Sequence, residues 1–294
     1  MDDRLHAFVL PELGVRGAAV RIAAGHREIV ERQPYPPGVA RLLGEALAAS
    51  ALLIAGLKFN GRLSIQLQGA RALGLLYSEC TSAGHLRGIA RGGEDSAPAG
   101  GFVELTREGL LVITLEPDDK GERYQGVVPL EGTHLGEALE AYFAQSEQLP
   151  TRVLLAADEH VAAGLLLQRL PGEGGHGPVD PDGWNRAQHL AATVAPAELL
   201  SCDPELLLHR LFHDVARSDA DALPLYPRCR CSREKVADVL RRIGREESLA
   251  AVQHSGEATV TCEFCGKTYR FDRIDIESLF LPQPPTEGGA SSLQ

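Results

Sequence analysis

The sequence predicts an α+β protein in three parts: a large N-terminal mixed domain with antiparallel-rich sheets, a helical linker, and a small C-terminal domain built on a Cys₄ zinc site. Three observations carry this expectation. Strand-like segments follow one another at short intervals with helices set apart, as in α+β rather than doubly wound proteins. A breaker cluster, Pro171-Gly-Glu-Gly-Gly-His-Gly-Pro178, closes that region. Four cysteines near the C-terminus stand as two close pairs, Cys229 with Cys231 and Cys262 with Cys265, with thirty residues between the pairs.

A chain of 294 residues buries a substantial core and divides into units, since a single core stops growing near about 250 to 300 residues. The formal charge of −11 repels phosphate and argues against a nucleic-acid partner. Met1-Asp-Asp-Arg-Leu-His lacks the cationic start and apolar run of a secretory leader, so a cytoplasmic location is expected. The longest apolar run, Ala46 to Leu57, stops at Lys58. It falls short of the roughly twenty residues needed to cross a bilayer, so no membrane is expected as a partner.

The expected N-terminal domain covers residues 1–171. After the loop signal Pro36-Pro37-Gly38, Val39 to Leu57 reads as a helix that is apolar nearly all round and therefore buried. Asn60-Gly61 marks a tight turn. Beyond it Leu63, Ile65 and Leu67 alternate with Ser64, Gln66 and Gln68, the period of a half-buried strand. Further strands are expected at Leu73 to Glu79, Leu86 to Ala90, Phe102 to Leu105, Leu110 to Leu115, Tyr124 to Val128 and Val161 to Leu167. Between the last two, His134 to Gln148 carries Leu135, Leu139 and Tyr142 at helical spacing.

The linker covers residues 172–226, with helices around Trp184 to Ala192, Ala197 to Leu200 and Pro204 to Ala216. Asp203 before Pro204 makes an N-cap and first-turn pair. Helices this short are marginal alone, so the linker's order should depend on what it packs against.

The C-terminal domain covers residues 227–281. Ser232 caps a helix from Arg233, with Glu234 at its positive end; Val236, Val239, Leu240 and Ile243 form one apolar stripe, and Gly244 stops it. Thr259 to Cys262 and Tyr269 to Phe271 read as a hairpin around Cys-Glu-Phe-Cys. Two short cysteine knuckles joined by a folded segment suit a tetrahedral Zn²⁺, with Cys229, Cys231, Cys262 and Cys265 as the four thiolate ligands. Structural disulfides are the alternative and need an oxidising compartment. So small a domain should depend on its metal for stability. Arg228, Arg230, Arg233, Lys267 and Arg270 lie near enough in sequence to offset the charge of four thiolates. The tail, 282–294, has the composition of a disordered segment.

Cys229-Arg-Cys-Ser-Arg-Glu-Lys-Val236 and Cys262-Glu-Phe-Cys-Gly-Lys-Thr-Tyr-Arg-Phe-Asp272 resemble the C-terminal signature of the bacterial redox-regulated heat-shock chaperones of thirty-three kilodaltons. Leu42-Leu43-Gly-Glu-Ala-Leu, Leu57-Lys-Phe-Asn-Gly-Arg-Leu-Ser-Ile-Gln-Leu-Gln-Gly69 and Arg87-Gly-Ile-Ala-Arg91 are similar to that family's N-terminal domain. Gly266, where the family often has Asn, and the stretch from Gln253 to Ser255 depart from its pattern. The resemblance implies an ATP-independent holdase, not an enzyme, that binds unfolding client proteins under oxidative stress. It implies one Zn²⁺ in the reduced form and, on activation, zinc release, disulfides Cys229–Cys231 and Cys262–Cys265, undocking of the linker and a homodimer.

Two other classes compete. A thiol-disulfide oxidoreductase would use Cys262-Glu-Phe-Cys265, with its nucleophile at a helix N-terminus. A zinc ribbon would hold a purely structural metal and bind nucleic acid or protein. Elsewhere, His209 and His213 stand one helical turn apart but do not complete a metal shell. Cys80 and Cys202 read as small core or surface residues, and His254 as a solvated loop residue. The sequence has no phosphate-binding glycine loop, so ATP use is not expected.

Overall fold

The computed structural model describes residues 3–57, 60–69, 72–92, 101–118, 121–171 and 180–281. Most of the breaker cluster, the tail 282–294 and the side chain of His254 lie outside the described residues. By proximity of its backbone the chain forms two compact units, Met1–Cys229 and Arg230–Gln294. The segment expected as a linker lies within the first.

The first unit opens with strands β1 (Arg4–Leu10) and β2 (Val15–Ile22), then helices α1 (Ala24–Val30) and α2 (Pro37–Ile54). Strands β3 (Gly61–Gln68), β4 (Leu73–Thr81) and β5 (His85–Gly92) follow, then the short helix α3 (Phe102–Thr106) and strands β6 (Leu110–Pro117) and β7 (Tyr124–Pro129). Helix α4 (Leu135–Tyr142) runs into a π-helical turn at Phe143–Glu147, and strands β8 (Thr151–Ala157) and β9 (Ala162–Arg169) complete the sheets. Helices α5 (Gly183–Ala192), α6 (Pro196–Ser201) and α7 (Pro204–Phe212) come next, then three two-residue strands, β10 (Ser218–Asp219), β11 (Leu223–Pro224) and β12 (Tyr226–Pro227).

One sheet has the order β10-β1-β2-β9-β8, with β11 also on β1; the other has the order β12-β5-β4-β3-β6-β7. Pairing is antiparallel except between β12 and β5. Helix α2 packs against strands of both sheets and is buried along almost its whole length. By length and composition it reaches the minimum for a membrane span, which the apolar run read from sequence did not. Its burial inside the protein is that of a core helix.

The sheet built on β1, β2, β9 and β8 is covered on both faces. Leu5, Ala18, Val20, Ile22, Ala162 and Leu166 join α2 in the main core. Their alternates Phe8, Leu10, Val15, Ala19, Ala163, Leu165 and Leu167 join a second core with Ala187 and Ala191 of α5, Leu199 of α6 and Leu207, Leu208, Leu211 and Phe212 of α7. Because side chains alternate across a strand, a sheet buried on both sides shows an unbroken apolar run. This accounts for the pattern at Val161 to Leu167. It also explains why β1, β2 and the Leu- and Ala-rich β8 do not announce themselves in the sequence.

The segment Phe102 to Leu105, expected as a strand, is instead the first turn of α3. Gly101 accepts the Leu105 N–H at 3.0 Å, and the Thr106 hydroxyl donates to the Phe102 carbonyl at 2.7 Å. The turn brings Phe102 and Leu105 together on the core while Val103 stays 55 % exposed. An extended chain would have paired Leu105 with Val103 instead, so tertiary packing overrides β-propensity here.

In the second unit, α8 (Arg233–Ile243) and α9 (Arg245–Ser255) precede the hairpin β13 (Ala258–Thr261) and β14 (Thr268–Phe271), and α10 (Arg273–Leu279) follows. Ser232 caps α8 by accepting the Lys235 N–H. A capping box between Asp272 and Asp275 starts α10. The core comprises Val236, Ala237, Leu240, Val252, Ala258, Tyr269, Phe271 and Ile276. The expected stripe on α8 is only half buried: Val239 and Ile243 remain 50 % and 53 % exposed, and Ala237 takes their place inside.

Candidate metal centre

One stretch outside regular secondary structure and one turn carry the four cysteines. Cys229 and Cys231 lie in the extended stretch between β12 and the Ser232 cap of α8, and Cys262 and Cys265 lie in the turn that joins β13 to β14. That turn is closed by two backbone bonds, Gly266 N–H to the Cys262 carbonyl at 2.7 Å and Cys262 N–H to the Lys267 carbonyl at 2.9 Å. Gly266 sits at φ +69°, in the left-handed region that glycine, and after it Asn, occupies most readily. Glycine meets that backbone requirement without strain.

The four Sγ atoms all lie within 4.8 Å of one another, and each cysteine is partly buried. Tetrahedral Zn²⁺ with Zn–S bonds of about 2.3 Å spaces its sulfurs about 3.8 Å apart, so these residues fit that ion. Across the two pairs, Cys231 Sγ and Cys265 Sγ are 3.4 Å apart. The donor set is all sulfur, which selects Zn²⁺ and similar thiolate-binding metals over Mg²⁺ or Ca²⁺.

Tyr269 on β14 completes the surroundings. Its hydroxyl donates to Cys231 Sγ at 3.1 Å. That bond, with burial and the other thiols behind it, pushes the phenol well above its ordinary range. The sequence marked Tyr269 only as part of the signature motif and as the start of the second hairpin strand, not as a neighbour of the sulfurs. A hydroxyl-bearing aromatic four residues past the last cysteine was the signal on offer.

Of the five cationic residues expected to offset the thiolates, Arg228, Arg233 and Arg270 have other partners, and Lys267 lies beside Tyr269. Arg233 donates to Asp275 at 2.7 Å and lies over the Phe271 ring at 4.1 Å. Arg270 pairs with Glu257, Lys267 lies 5.2 Å from the Tyr269 ring centroid, and the Arg228 guanidinium is 3.2 Å from His85 Nε2. Arg233 thus braces β14 against α10 rather than neutralising sulfur.

The other candidate residues are placed apart from the cysteines. His209 and His213 bring their rings to 6.3 Å, edge to face. They belong to no group of three or more potential ligand atoms; among the described residues that is the four cysteines. Cys80 is buried on β4, where burial pushes its thiol far up. Cys202 ends α6 with its sulfur 3.3 Å from an Arg210 nitrogen. Neither Cys262 nor Cys265 stands at a helix N-terminus, where an oxidoreductase nucleophile would be activated.

Comparison with known proteins bears on the whole chain. The family model described as Hsp33 protein matches residues 3–272. The 33 kDa chaperonin of Pseudomonas savastanoi pv. phaseolicola is 42 % identical over 281 residues, covering 95 % of this chain and 93 % of its own length. That of Pseudomonas aeruginosa strain UCBPP-PA14 is 41 % identical over 292 residues, with coverage of 97 % and 98 %. The crystal structure of the 33 kDa chaperonin from Thermotoga maritima superposes with a TM-score of 0.80 at 21 % identity, covering 95 % of this chain and 98 % of that one. This last likeness shows the fold.

Proposed function

The chain belongs to the Hsp33 family, and on that footing we propose that it is an ATP-independent holdase that its four clustered cysteines keep inactive while they hold Zn²⁺ and switch on when they are oxidised. The observation that carries the reading is the convergence of Cys229, Cys231, Cys262 and Cys265 to within 4.8 Å in sulfur position. The clients are unfolding proteins, the location is the cytoplasm, the oxidised form is a homodimer, and neither nucleic acid nor membrane is a partner.

Bound Zn²⁺ supplies folding free energy, about 10 to 16 kcal/mol in small zinc-finger peptides at neutral pH. The eight buried side chains of the second unit's core make a thin interior, so that contribution decides whether the unit is folded. The cysteines, held as thiolates, are the form that peroxide attacks. In each pair one thiolate takes an oxygen from H₂O₂ to become a sulfenic acid and releases hydroxide. The second thiolate then displaces hydroxide from the sulfenic sulfur to form the disulfide. Two thiolates are oxidised and one peroxide is reduced per bridge, so Cys229–Cys231 and Cys262–Cys265 consume two peroxides and leave no sulfur ligand for the metal.

Residues 1–171 act as the chaperone core, 172–226 as the metastable linker, 227–281 as the switch and 282–294 as a tail. Linker helices α5 to α7 cover the apolar face formed by Phe8, Leu10, Val15, Leu165 and Leu167. They have 10, 6 and 9 residues, too few to persist without that packing. Once the switch unfolds, their undocking uncovers this face for clients.

The test measures zinc content and suppression of client aggregation on one sample, before and after peroxide at elevated temperature. Stoichiometric zinc that is lost as holding activity appears supports the reading. Cys229→Ser or Cys262→Ser should weaken zinc retention and uncouple activity from oxidant; wild-type zinc affinity in either variant argues against the assignment.

A further inference from the structure

The segment from Ser218 to Arg228, the last stretch before the first cysteine, closes one exposed edge of each sheet. On β1 it lies antiparallel, with Ser218 and Asp219 opposite Val9 and Phe8, and Leu223 and Pro224 opposite Leu5 and Arg4. The Ala220 N–H donates to the Ala7 carbonyl and the Leu225 N–H to the Asp3 carbonyl, both at 2.9 Å. It then crosses to the second sheet and runs parallel to β5, where the N–H groups of Tyr226 and Arg228 donate to the carbonyls of Gly84 and Leu86, both at 2.8 Å. Leu225 is 3 % exposed and sits in the main core at the crossing. Gly84, at φ +77°, lets the strap pass: a Cβ there would lie 2.0 Å from the Pro224 carbonyl oxygen.

Two features make this strap a guard rather than a full strand. Peptide groups alternate in direction along an extended chain. Since Tyr226 and Arg228 both donate inward, the nitrogen of Pro227 points away from β5; with Leu225 donating to β1, that of Pro224 points away from β1. Proline on the outer side of an edge blocks the addition of another strand. The strap is also sparse. It registers with four of the seven residues of β1 and two of the eight of β5. An extended chain pairing along the whole of β1 would form more ladder bonds than the strap does, while on β5 the Ala90 N–H already donates to the Tyr35 hydroxyl at 3.3 Å, so a client there takes the stretch before Ala90.

The Arg228 N–H that ties the strap to Leu86 stands one residue before Cys229 in the chain. Loss of order at the cysteines therefore releases the end of the strap first. We infer that β1 and β5, freed of residues 218–228, are client-docking edges that capture an extended segment of an unfolding protein by main-chain hydrogen bonding. This rests on the oxidation-switched holdase reading and names the surface through which it acts. The occupant is specified by chemistry: an unpaired, β-prone backbone, with alternate side chains set against the sheet. Main-chain pairing needs no particular sequence, which suits a protein whose clients are unrelated. Apolar contact with the face beneath α5 to α7 requires no such pairing, and this separates the two modes.

The experiment is hydrogen exchange on the full-length protein, zinc-loaded and reduced, then peroxide-treated, then peroxide-treated with thermally unfolding citrate synthase bound. Zinc content and aggregation suppression are read from the same samples. The Ala220, Leu225, Tyr226 and Arg228 amides, which tie the strap to the two edges, should exchange at least tenfold faster after oxidation than before it. Strap-facing amides of Arg4–Leu10 and His85–Gly92 should then slow by a similar factor when client is bound. A strap that stays protected after oxidation, or edges that are not slowed by client, overturn the inference while active, zinc-free protein leaves the holdase reading standing. Oxidation that neither releases zinc nor produces activity removes the reading, and the inference with it.

Discussion

Phe212, the last residue of α7, places its ring 6.0 Å from that of Phe8 on β1, the two planes inclined at 40°. Both side chains are almost wholly buried, at 2 % and 3 % exposure. This pair pins α7 to the sheet. Truncating a buried phenylalanine to alanine costs about 3 to 5 kcal/mol, more than three short helices can lose and stay docked. Phe212→Ala should therefore hold clients in its reduced, zinc-loaded state, without oxidant. Aggregation suppression at full zinc occupancy, with circular dichroism to report helix loss, checks this. Undocked helices with no gain in activity would sink the role given to the linker.

The second prediction concerns Tyr269. Its hydroxyl donates to Cys231 Sγ at 3.1 Å, and a hydrogen bond to a charged acceptor contributes about 1.5 to 3 kcal/mol. A donor on sulfur withdraws electron density from the atom that peroxide attacks. Tyr269→Phe should release zinc to peroxide several-fold faster, read with a colorimetric chelator under a fixed oxidant excess. Release at the wild-type rate would mean that the hydroxyl serves only to pack β14.

The third concerns the bridges. The family resemblance gives Cys229–Cys231 and Cys262–Cys265, whereas the 3.4 Å approach is between Cys231 and Cys265, across the pairs. Peptide mapping of the oxidised protein under acid quench should find the two within-pair bridges. The reason is that once the unit loosens, the closest neighbours in sequence form the smallest loops and meet most often. A dominant Cys231–Cys265 bridge would show instead that the folded geometry dictates the pairing.

The fourth lies in the core helix. Burial pushes the Glu45 carboxyl up to about 7 from 4.5, against the weaker pull of Arg41 one turn earlier. The folded state therefore binds this proton more tightly than the unfolded chain does. Stability of the reduced protein should fall as pH rises from about 4.5 to about 7 and level off above that, other groups aside. Glu45→Gln removes this slope and should stabilise the first unit by about 1 to 3 kcal/mol at pH 8. Urea unfolding of the reduced protein and the variant at pH 5 and pH 8 measures it. An equal pH dependence in both would show that Glu45 is ordinary.

Much of the candidate site was legible from residue order alone. Cysteine spacing specified a four-sulfur centre because knuckle geometry is local: a turn of four residues sets two sulfurs, and glycine after the second marks the backbone's left-handed step. Helix α8 was equally plain, since Ser232 and Gly244 are signals read within one turn of the helix ends. The buried helix α2 announced itself through its apolar surface all round.

Other features followed from distant partners. Strands β1, β2 and β8 carry few marks of their own because both of their faces are covered, which removes the alternation that identifies a strand. Phe102 to Leu105 has strand-forming residues, yet becomes helix because that turn places Phe102 and Leu105 together on the core. Nothing near residues 218–228 signals that they guard two sheets, since the pairing partners lie more than a hundred residues earlier.

The order of the amino acids, by itself, determined a four-cysteine cluster that could hold a metal ion, the helix ends and the presence of a large α+β portion and a small cysteine-bearing one, all properties set by side chains within a few positions of one another. Tertiary structure alone decided which face of the first sheet α5 to α7 cover, that Tyr269 reaches Cys231, and that the chain closes β1 and β5 just before Cys229. Those are long-range contacts, and burial and hydrogen bonding select among them only when the whole core is assembled.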